Sequence, residues 1–263
     1  QAKAVKKPRQ ITVPTILLML LAVLLALVPN TVYHVIPRDA SRWTDLLDTY
    51  PDPMMETWIE DGLNDGFPIY MTEGVPDGND RNLPMDASQL QGVVEWLIDN
   101  VRQKKLLGPF FHYDDLPFEL FTSPLGCVPK SINIITGLVE KWRVIHHLSA
   151  PRIGRSVNSL IHESAATVKY ITFKQIVQFF LLLGVGAWIW KYDLANAYRQ
   201  FNVRKEDIKF LGAKLAGLLF VDMTLPMGLR SACTIFNLIG DAIVHCVCEL
   251  AIRLAMARHQ CSR

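Results

Sequence analysis

The chain has 263 residues, half of them hydrophobic and a fifth charged, which is enough apolar material for one large domain or two ordinary ones. This composition excludes intrinsic disorder for most of the chain, and no period of about 20–50 residues indicates a repeat array. Five cysteines form an odd, sparse set that is more typical of thiols in a reducing compartment than of a disulfide framework.

The formal net charge of +2 hides a segregation of charge along the chain. Residues 1–10 carry +4, residues 38–100 carry −11 and residues 101–263 carry +9. A long basic stretch favours a polyanionic partner, because Lys and Arg bind nucleic acids by neutralising phosphates. Solvated surface charge explains the same pattern about equally well, so both interpretations stay open.

An uncharged hydrophobic segment, residues 11–29, follows the basic N-terminal cluster. As a helix with a rise of ~1.5 Å per residue it would span about 28 Å, close to the hydrocarbon thickness of a bilayer. Taken alone, the segment predicts a membrane anchor or a signal peptide with its basic side cytoplasmic. A buried helix, or a translated non-coding stretch at the edge of a gene model, is the alternative. The localisation is membrane in the first case and intracellular in the second.

The next part of the chain predicts helices. The spacing of apolar residues indicates helices over residues 43–50 and 54–66. Residues 73–88 are rich in Gly, Pro, Asn and Asp and predict a loop. A longer amphipathic helix is predicted over residues 87–105, closed by the Leu-Leu-Gly-Pro stretch at residues 106–109.

From Ser123 the pattern changes to short extended runs, at residues 126–128, 131–135 and 142–148. A helix at residues 173–183 and a buried strand at residues 187–192 follow. This mixture of hairpins and helices predicts the α+β class.

The strand predicted at residues 187–192 ends in a carboxylate, Asp193, and then turns into a helix. Such a junction holds the carboxylate rigidly at the edge of a domain. Mg²⁺ is usually bound by one or two carboxylates placed this way, together with substrate phosphates. Taken alone, Asp193 is more simply explained as a helix N-cap.

An ordered set of segments resembles the reverse transcriptase family. Three segments look like its fingers, one like its first catalytic motif and one like its next palm motif: SPLGCVPK (123–130), KWRVIHHLSAP (141–151), RSVN (155–158), KYDLANAYR (191–199) and LPMGLRSACTIFN (225–237). Residues 50–67 and 106–110 resemble the leader of the tyrosine-recombinase (DIRS-like) retrotransposon branch. The resemblance covers roughly residues 43–250.

The resemblance implies the fingers and a partial palm of a right-hand polymerase, preceded by a helical leader and the N-terminal hydrophobic segment. The corresponding regions are 1–37 for the basic and hydrophobic segment, 38–107 for the acidic leader, 108–170 for the β-rich fingers and 171–263 for the partial palm. The implied partners are an RNA or DNA template-primer and deoxynucleoside triphosphates, with residues 11–29 as a possible membrane contact.

The resemblance also implies roles for individual residues. Asp193 would be the catalytic carboxylate that ligates the Mg²⁺ pair, which activates the primer 3′ hydroxyl. Leu194 and Ala195 would offer backbone contacts to the phosphates, and Tyr198 would stack under the sugar and exclude a 2′ hydroxyl. Arg143 would clamp the triphosphate with its planar, permanently charged guanidinium.

Further nucleotide-binding positions are implied in two other segments. Met227 and Gly228 lie in a turn before a helix that would line the templating base and the nucleotide. Lys130 or Lys141 would be a second phosphate contact, although residues 131–140 form a longer stretch than is usual in the family. Each position also has an ordinary explanation, as a surface charge, a core aromatic or a turn glycine, but the ordered set favours function.

Several positions depart from the family pattern. His147 stands where relatives usually have Asp, Cys233 where they have Pro, and Met227 where Phe or Gln is usual. A larger departure is that no Asp-Asp pair follows Asp193, whereas the family's Tyr-x-Asp-Asp hairpin supplies the other metal-binding carboxylate. We therefore expect a retroelement reverse transcriptase fragment, truncated before its active site is complete and inactive by itself.

Neither of two later carboxylates replaces the missing pair, since Asp222 is expected in a strand and Asp241 in the following helix.

A different class of function is a membrane-anchored, non-enzymatic protein that reuses the polymerase fragment as a nucleic-acid-binding or interaction module. Several residues near the C-terminus suggest zinc binding, namely His245, Cys246, Cys248, His259 and Cys261. Zinc binding is nevertheless disfavoured, because Cys246 and Cys248 would face different sides of a helix.

Overall fold

The computed structural model describes residues 41–78, 81–186 and 193–261. The hydrophobic segment at residues 11–29 and the strand predicted at residues 187–192 lie outside these ranges. The helices are α1 (Ser41–Leu47), α2 (Pro53–Asp65), α3 (Ala87–Arg102), α4 (Phe173–Leu183) and α5 (Ala232–Cys261). The strands are β1 (Leu106–Phe110), β2 (Leu125–Ile132), β3 (Val139–His146), β4 (Gly212–Leu215) and β5 (Leu218–Asp222). Helices beside small antiparallel sheets agree with the predicted α+β class.

Side-chain caps fix where the predicted leader helices begin. Asp52 accepts hydrogen bonds from the first amides of α2, and Pro53 occupies the first turn, where its missing N–H costs nothing. Asp86 and Gln89 form a reciprocal capping box at the start of α3. The helices predicted at residues 43–50, 54–66 and 173–183 are confirmed as α1, α2 and α4, with small differences at their ends.

The predicted end of the third helix is wrong by several residues. α3 stops at Arg102, and Lys104 takes a left-handed conformation with φ of 57°. Residues 106–110 are not a helix terminator but the strand β1, which pairs Leu106 with Asp222. A partner strand more than 100 residues away decides this pairing, and local sequence does not report it.

β1, β5 and β4 form an antiparallel sheet in that order. β4 and β5 are joined through Ala216 and Gly217, both with positive φ, which is the geometry that a tight hairpin needs. Every residue of β5 is buried, as expected for the central strand of a sheet covered on both faces. Asp222, at the end of β5, is therefore a strand residue as predicted, and its carboxylate lies inside the protein.

β2 and β3 form a separate antiparallel hairpin. The predicted extended run at residues 131–135 ends at Ile132. The Asn133 side chain there accepts hydrogen bonds from the amides of Ile135 and Thr136, both at 3.0 Å, and so bends the chain into a turn. Ile134 and Ile135 are almost completely exposed at the tip of the hairpin.

Two groups of buried side chains hold the elements together. The larger one joins α1, α2, β1, β5 and α5, and the smaller one joins α3, β1, β2, β4 and β5. β1 and β5 contribute to both groups, so the three-stranded sheet lies between them. The smaller group places α3 directly against the β2–β3 hairpin.

One face of α5 is buried, through Ala232, Ile235, Ile239, Ala242 and Cys246. This spacing of three and four residues matches the helical period. Within the described part of the chain, residues 232–250 are also long and apolar enough to cross a membrane. A core helix meets the same criterion, and the buried face of α5 packs in the larger core.

Candidate functional site

A pocket of about 420 Å³ lies where α3, the β2–β3 hairpin, the turn after Asp193 and the start of α5 meet. Its wall combines aromatic rings, aliphatic groups and cations: Trp96, Lys130, Trp142, Arg143, Val144, Leu194, Asn196, Ala197, Tyr198, Arg199, Met227 and Phe236. None of these lining residues carries a carboxylate. The pocket is therefore suited to an anionic ligand that also presents an apolar or planar surface.

A glycine brings α3 close to the hairpin. A Cβ at Gly92 would lie 2.7 Å from the Trp142 ring, so only a residue without a side chain permits this approach. Trp96 follows one turn later on α3 and lines the pocket. The acidic leader thus contributes an aromatic wall to a pocket whose other walls come from the basic part of the chain.

The hairpin supplies two exposed cations at the pocket, Lys130 from β2 and Arg143 from β3. Antiparallel pairing of Val128 with Arg143 and of Pro129 with Trp142 brings the two strands into register here. Within the described residues, neither cation has a carboxylate within salt-bridge distance. Both are therefore available to an anion.

The ring of Tyr198 is held by two residues of α5. Its hydroxyl lies 3.0 Å from the Cys233 Sγ, and its ring meets Phe236 edge-on with 5.3 Å between centroids. Burial, followed by the hydrogen bond to Cys233, raises the pKa of Tyr198 above its ordinary value. The phenol is therefore neutral and available as a hydrogen-bonding group over the physiological range.

Beside Tyr198, Arg199 is the centre of a buried polar network. Its Nη1 donates to Asp222 Oδ2 at 2.6 Å, and its Nε donates to Asn100 Oδ1 at 3.1 Å. The guanidinium also lies 5.0 Å from the centre of the Trp96 ring. The other Asp222 oxygen accepts from the amide and hydroxyl of Thr224. The network ties the turn after Asp193 to α3 and β5.

His146 lies close to this network and is buried. Its Nε2 donates to the carbonyl oxygen of Gly212 at 3.0 Å. Burial lowers the pKa of His146, and the nearby Arg199 acts in the same direction, while Asp222 and the carbonyl oppose them. The ring is therefore neutral and joins the β2–β3 hairpin to β4.

Asn158 fixes the turn that precedes α5. Its Nδ2 donates to the carbonyl oxygen of Gly228 at 2.8 Å, and its Oδ1 accepts from the amide of Arg230 at 2.9 Å. Gly228 has φ of 96°, which favours glycine, and a Cβ there would come within 3.3 Å of the His146 carbonyl oxygen. This anchoring places Met227 at the pocket.

The structure brings together most of the residues that the sequence predicted for a nucleotide site. Those that line the pocket are Lys130, Arg143, Leu194, Tyr198 and Met227. Those that do not line it are Lys141, Asp193, Ala195 and Gly228. Asp193 directly precedes the lining residue Leu194 in the chain, and Gly228 directly follows the lining residue Met227. The Ala195 carbonyl accepts a hydrogen bond from the Gln200 side chain at 2.8 Å.

Sequence reasoning missed other lining residues. Asn196, which has φ of 55°, and Ala197 line the pocket beyond Leu194 and lie within a segment already singled out. Trp142 and Phe236 also lie within such segments. Trp96 had no comparable signal, because it lies outside the apolar stripe that predicted its helix.

The described carboxylates do not fit a two-metal site. Asp193 is exposed, and its later counterparts are engaged elsewhere: Asp207 with Arg204, Asp222 with Arg199, and Asp241 with the Asn237 amide. Among the described side chains, no three His, Cys, Asp or Glu residues come together as a metal site. One carboxylate cannot hold two cations ~3.5–4 Å apart against their repulsion.

Two of the residues that suggested zinc contact α1 and the turn after it. The His245 ring packs edge-on against Tyr50 with 5.1 Å between centroids and lies 3.2 Å from the Thr49 hydroxyl. The Cys246 thiol donates to the carbonyl of Leu46. These contacts give both residues a packing role.

No family model matches the sequence, and no curated protein matches it. The solved structures that are similar at low identity include two viral proteins. The foamy viral protease-reverse transcriptase dRH in complex with double-stranded DNA has a TM-score of 0.45 and 14% identity, covering 79% of this chain and 36% of the viral chain. The foamy viral protease-reverse transcriptase in complex with dsDNA has a TM-score of 0.43 and 13% identity, covering 78% and 41%. The chain thus spans less than half the length of either protein.

Proposed function

We propose that this chain is a reverse transcriptase-like fragment of a retroelement whose pocket binds a deoxynucleoside triphosphate beside a nucleic-acid template and primer. The observation that carries the proposal is the pocket itself. Segments chosen from the sequence for their motifs, and separated by up to about 100 residues, supply its walls. Ordinary surface or core roles for each residue would not require them to meet.

The chemistry of the walls matches the parts of a nucleotide. Lys130 and Arg143 offer two cations to the phosphates, with the planar guanidinium able to bind phosphate oxygens in pairs. Tyr198 offers a flat ring to the sugar, and Trp142 offers apolar surface to the base. The lack of a lining carboxylate avoids repulsion of the triphosphate.

The same hairpin supports the proposed template-primer partner. Its exposed cations belong to a region, residues 101–263, that carries +9. Nucleic acid would be bound mainly through its phosphates, so affinity should fall steeply as salt rises. A labelled RNA–DNA primer-template should bind in 50 mM salt and be largely released at about 200 mM. Binding that ignored salt over this range would contradict the proposal.

In the parent enzyme, Asp193 would be one of the carboxylates that hold Mg²⁺, and the ions would supply charge neutralisation and activation of the primer hydroxyl. Among the described residues, Asp193 is not part of a cluster of three or more possible metal ligands, so we propose that this chain by itself binds nucleotide without extending a primer. Robust primer extension by the purified chain on an RNA template would refute the inactivity.

Calorimetric titration of the full chain with dATP tests the proposed site. The R143A variant should weaken dATP binding about tenfold or more, since a charge-assisted hydrogen bond contributes ~1.5–3 kcal/mol. Arg152 is the matched control, because it is exposed and does not line the pocket. R152A should bind dATP like the unmodified chain. Equal loss in both variants would indicate non-specific attraction, and an unchanged R143A would place the nucleotide elsewhere.

A further inference from the structure

We infer that Cys233 is a positioning residue for Tyr198, and that this contact sets how strongly the site prefers deoxyribonucleotides over ribonucleotides. The inference rests on the proposed nucleotide-binding function and names a determinant of its sugar specificity. By the resemblance, Cys233 corresponds to a position where the reverse transcriptase family usually has Pro. A proline side chain offers no polar group to a tyrosine hydroxyl, so the contact depends on the residue found in this chain.

Contacts with α5 hold the Tyr198 ring at its hydroxyl end. The Tyr198 side chain starts from the turn after Asp193, and the hydroxyl at its other end lies 3.0 Å from the Cys233 Sγ on α5. Phe236, one turn further along α5, meets the ring edge-on. Two contacts from one helix therefore oppose rotation of the ring, which lines the pocket.

Cys233 itself is rigidly placed. It lies in the first turn of α5 between completely buried neighbours, Ala232 and Ile235. The Cys233 backbone is therefore fixed in the core, and the thiol can follow a tilting Tyr198 ring only by rotation about its own Cα–Cβ bond. A ring fixed in this way presents a fixed surface to the sugar, and an added 2′ hydroxyl meets that surface directly. Without the contact, the ring can tilt and accommodate the hydroxyl.

Titrations with dATP and with ATP test the inference, because the ratio of the two affinities reports the sugar and not the phosphates. The C233A and C233P variants should reduce the preference for dATP about fivefold, the effect of one lost hydrogen bond. Proline is compatible with the first turn of a helix, where its missing N–H costs little. C233S should keep most of the preference, since a hydroxyl can still bond the phenol. C248A, at an exposed cysteine of the same helix, is the control.

The Y198F variant tests the same contact from the tyrosine side. It keeps the ring and removes its hydroxyl, so it should reduce the preference as much as C233A does, and the Y198F/C233A double variant should show no further loss. An unchanged affinity ratio in C233A, or additive losses in the double variant, would overturn the inference while leaving nucleotide binding intact. Failure of the unmodified chain to bind either nucleotide would overturn the proposed function as well. Circular dichroism verifies that each variant is folded.

Discussion

The buried pair between Arg199 and Asp222 gives the sharpest test of how the site is held. R199M keeps most of the side-chain volume but removes the guanidinium. The carboxylate of Asp222 would then lose its 2.6 Å partner while its side chain stays 1% exposed. Leaving a buried charge unpaired costs about 3–5 kcal/mol. That loss is a large fraction of the ~5–15 kcal/mol by which a typical domain is stable.

Urea denaturation followed by tryptophan fluorescence measures this cost, because Trp96 lies against the guanidinium. The matched control is R155M. Arg155 pairs with Asp77 at 3.1 Å, but the two side chains are 56% and 40% exposed, so the loss should stay within about 1 kcal/mol. Replacing both buried partners, as in R199M/D222L, should cost less than the sum of the single changes.

The result that would refute this account is an R199M variant no less stable than R155M. It would mean that water reaches Asp222, and therefore that the turn after Asp193 is not fixed against α3 and β5 as described. The same variant should also weaken dATP binding, because Arg199 lines the pocket.

Three further changes test other parts of the structure. G92A should force α3 away from Trp142 and destabilise the chain by about 1–3 kcal/mol in urea denaturation. The control is G240A, which should be neutral or stabilising because an added Cβ there meets no neighbouring atom within 4 Å. The pKa of His146 is lowered in the folded protein, so as pH falls below ~6.5 the imidazole is protonated in the unfolded chain before it is protonated in the folded one. The free energy of unfolding should therefore decrease below this pH, and it should decrease less in H146Q. N158A should release the turn before α5 and reduce dATP affinity in calorimetry, and an unchanged affinity would show that this anchoring is dispensable.

Local sequence was sufficient where local physics decides the structure. Asp86 with Gln89, and Thr172 with Gln175, form capping boxes at the starts of α3 and α4, and the sequence predicts both helices. The motif segments likewise identified five pocket residues, because short segments with fixed chemistry carry their own signal.

Long-range contacts could not be predicted in this way. Local sequence predicts a helix terminator at β1, because the partner strand β5 lies more than 100 residues further along the chain. Trp96 carries no sequence signal, because its place in the pocket depends on Gly92 packing against the hairpin. In the sequence Arg199 is only the end of a motif, and its pairing with Asp222 exists only once β5 is in place.

Photolabelling with 8-azido-dATP, followed by mass spectrometric mapping of the modified peptides, tests the central proposal most directly. Labelling should fall within the segments that carry Trp142, Tyr198 and Phe236, and it should be suppressed by excess dATP and reduced in R143A. Labelling confined to a different surface, such as the larger acidic pocket around Tyr113 and Glu119, would contradict the assignment of this pocket as a nucleotide site.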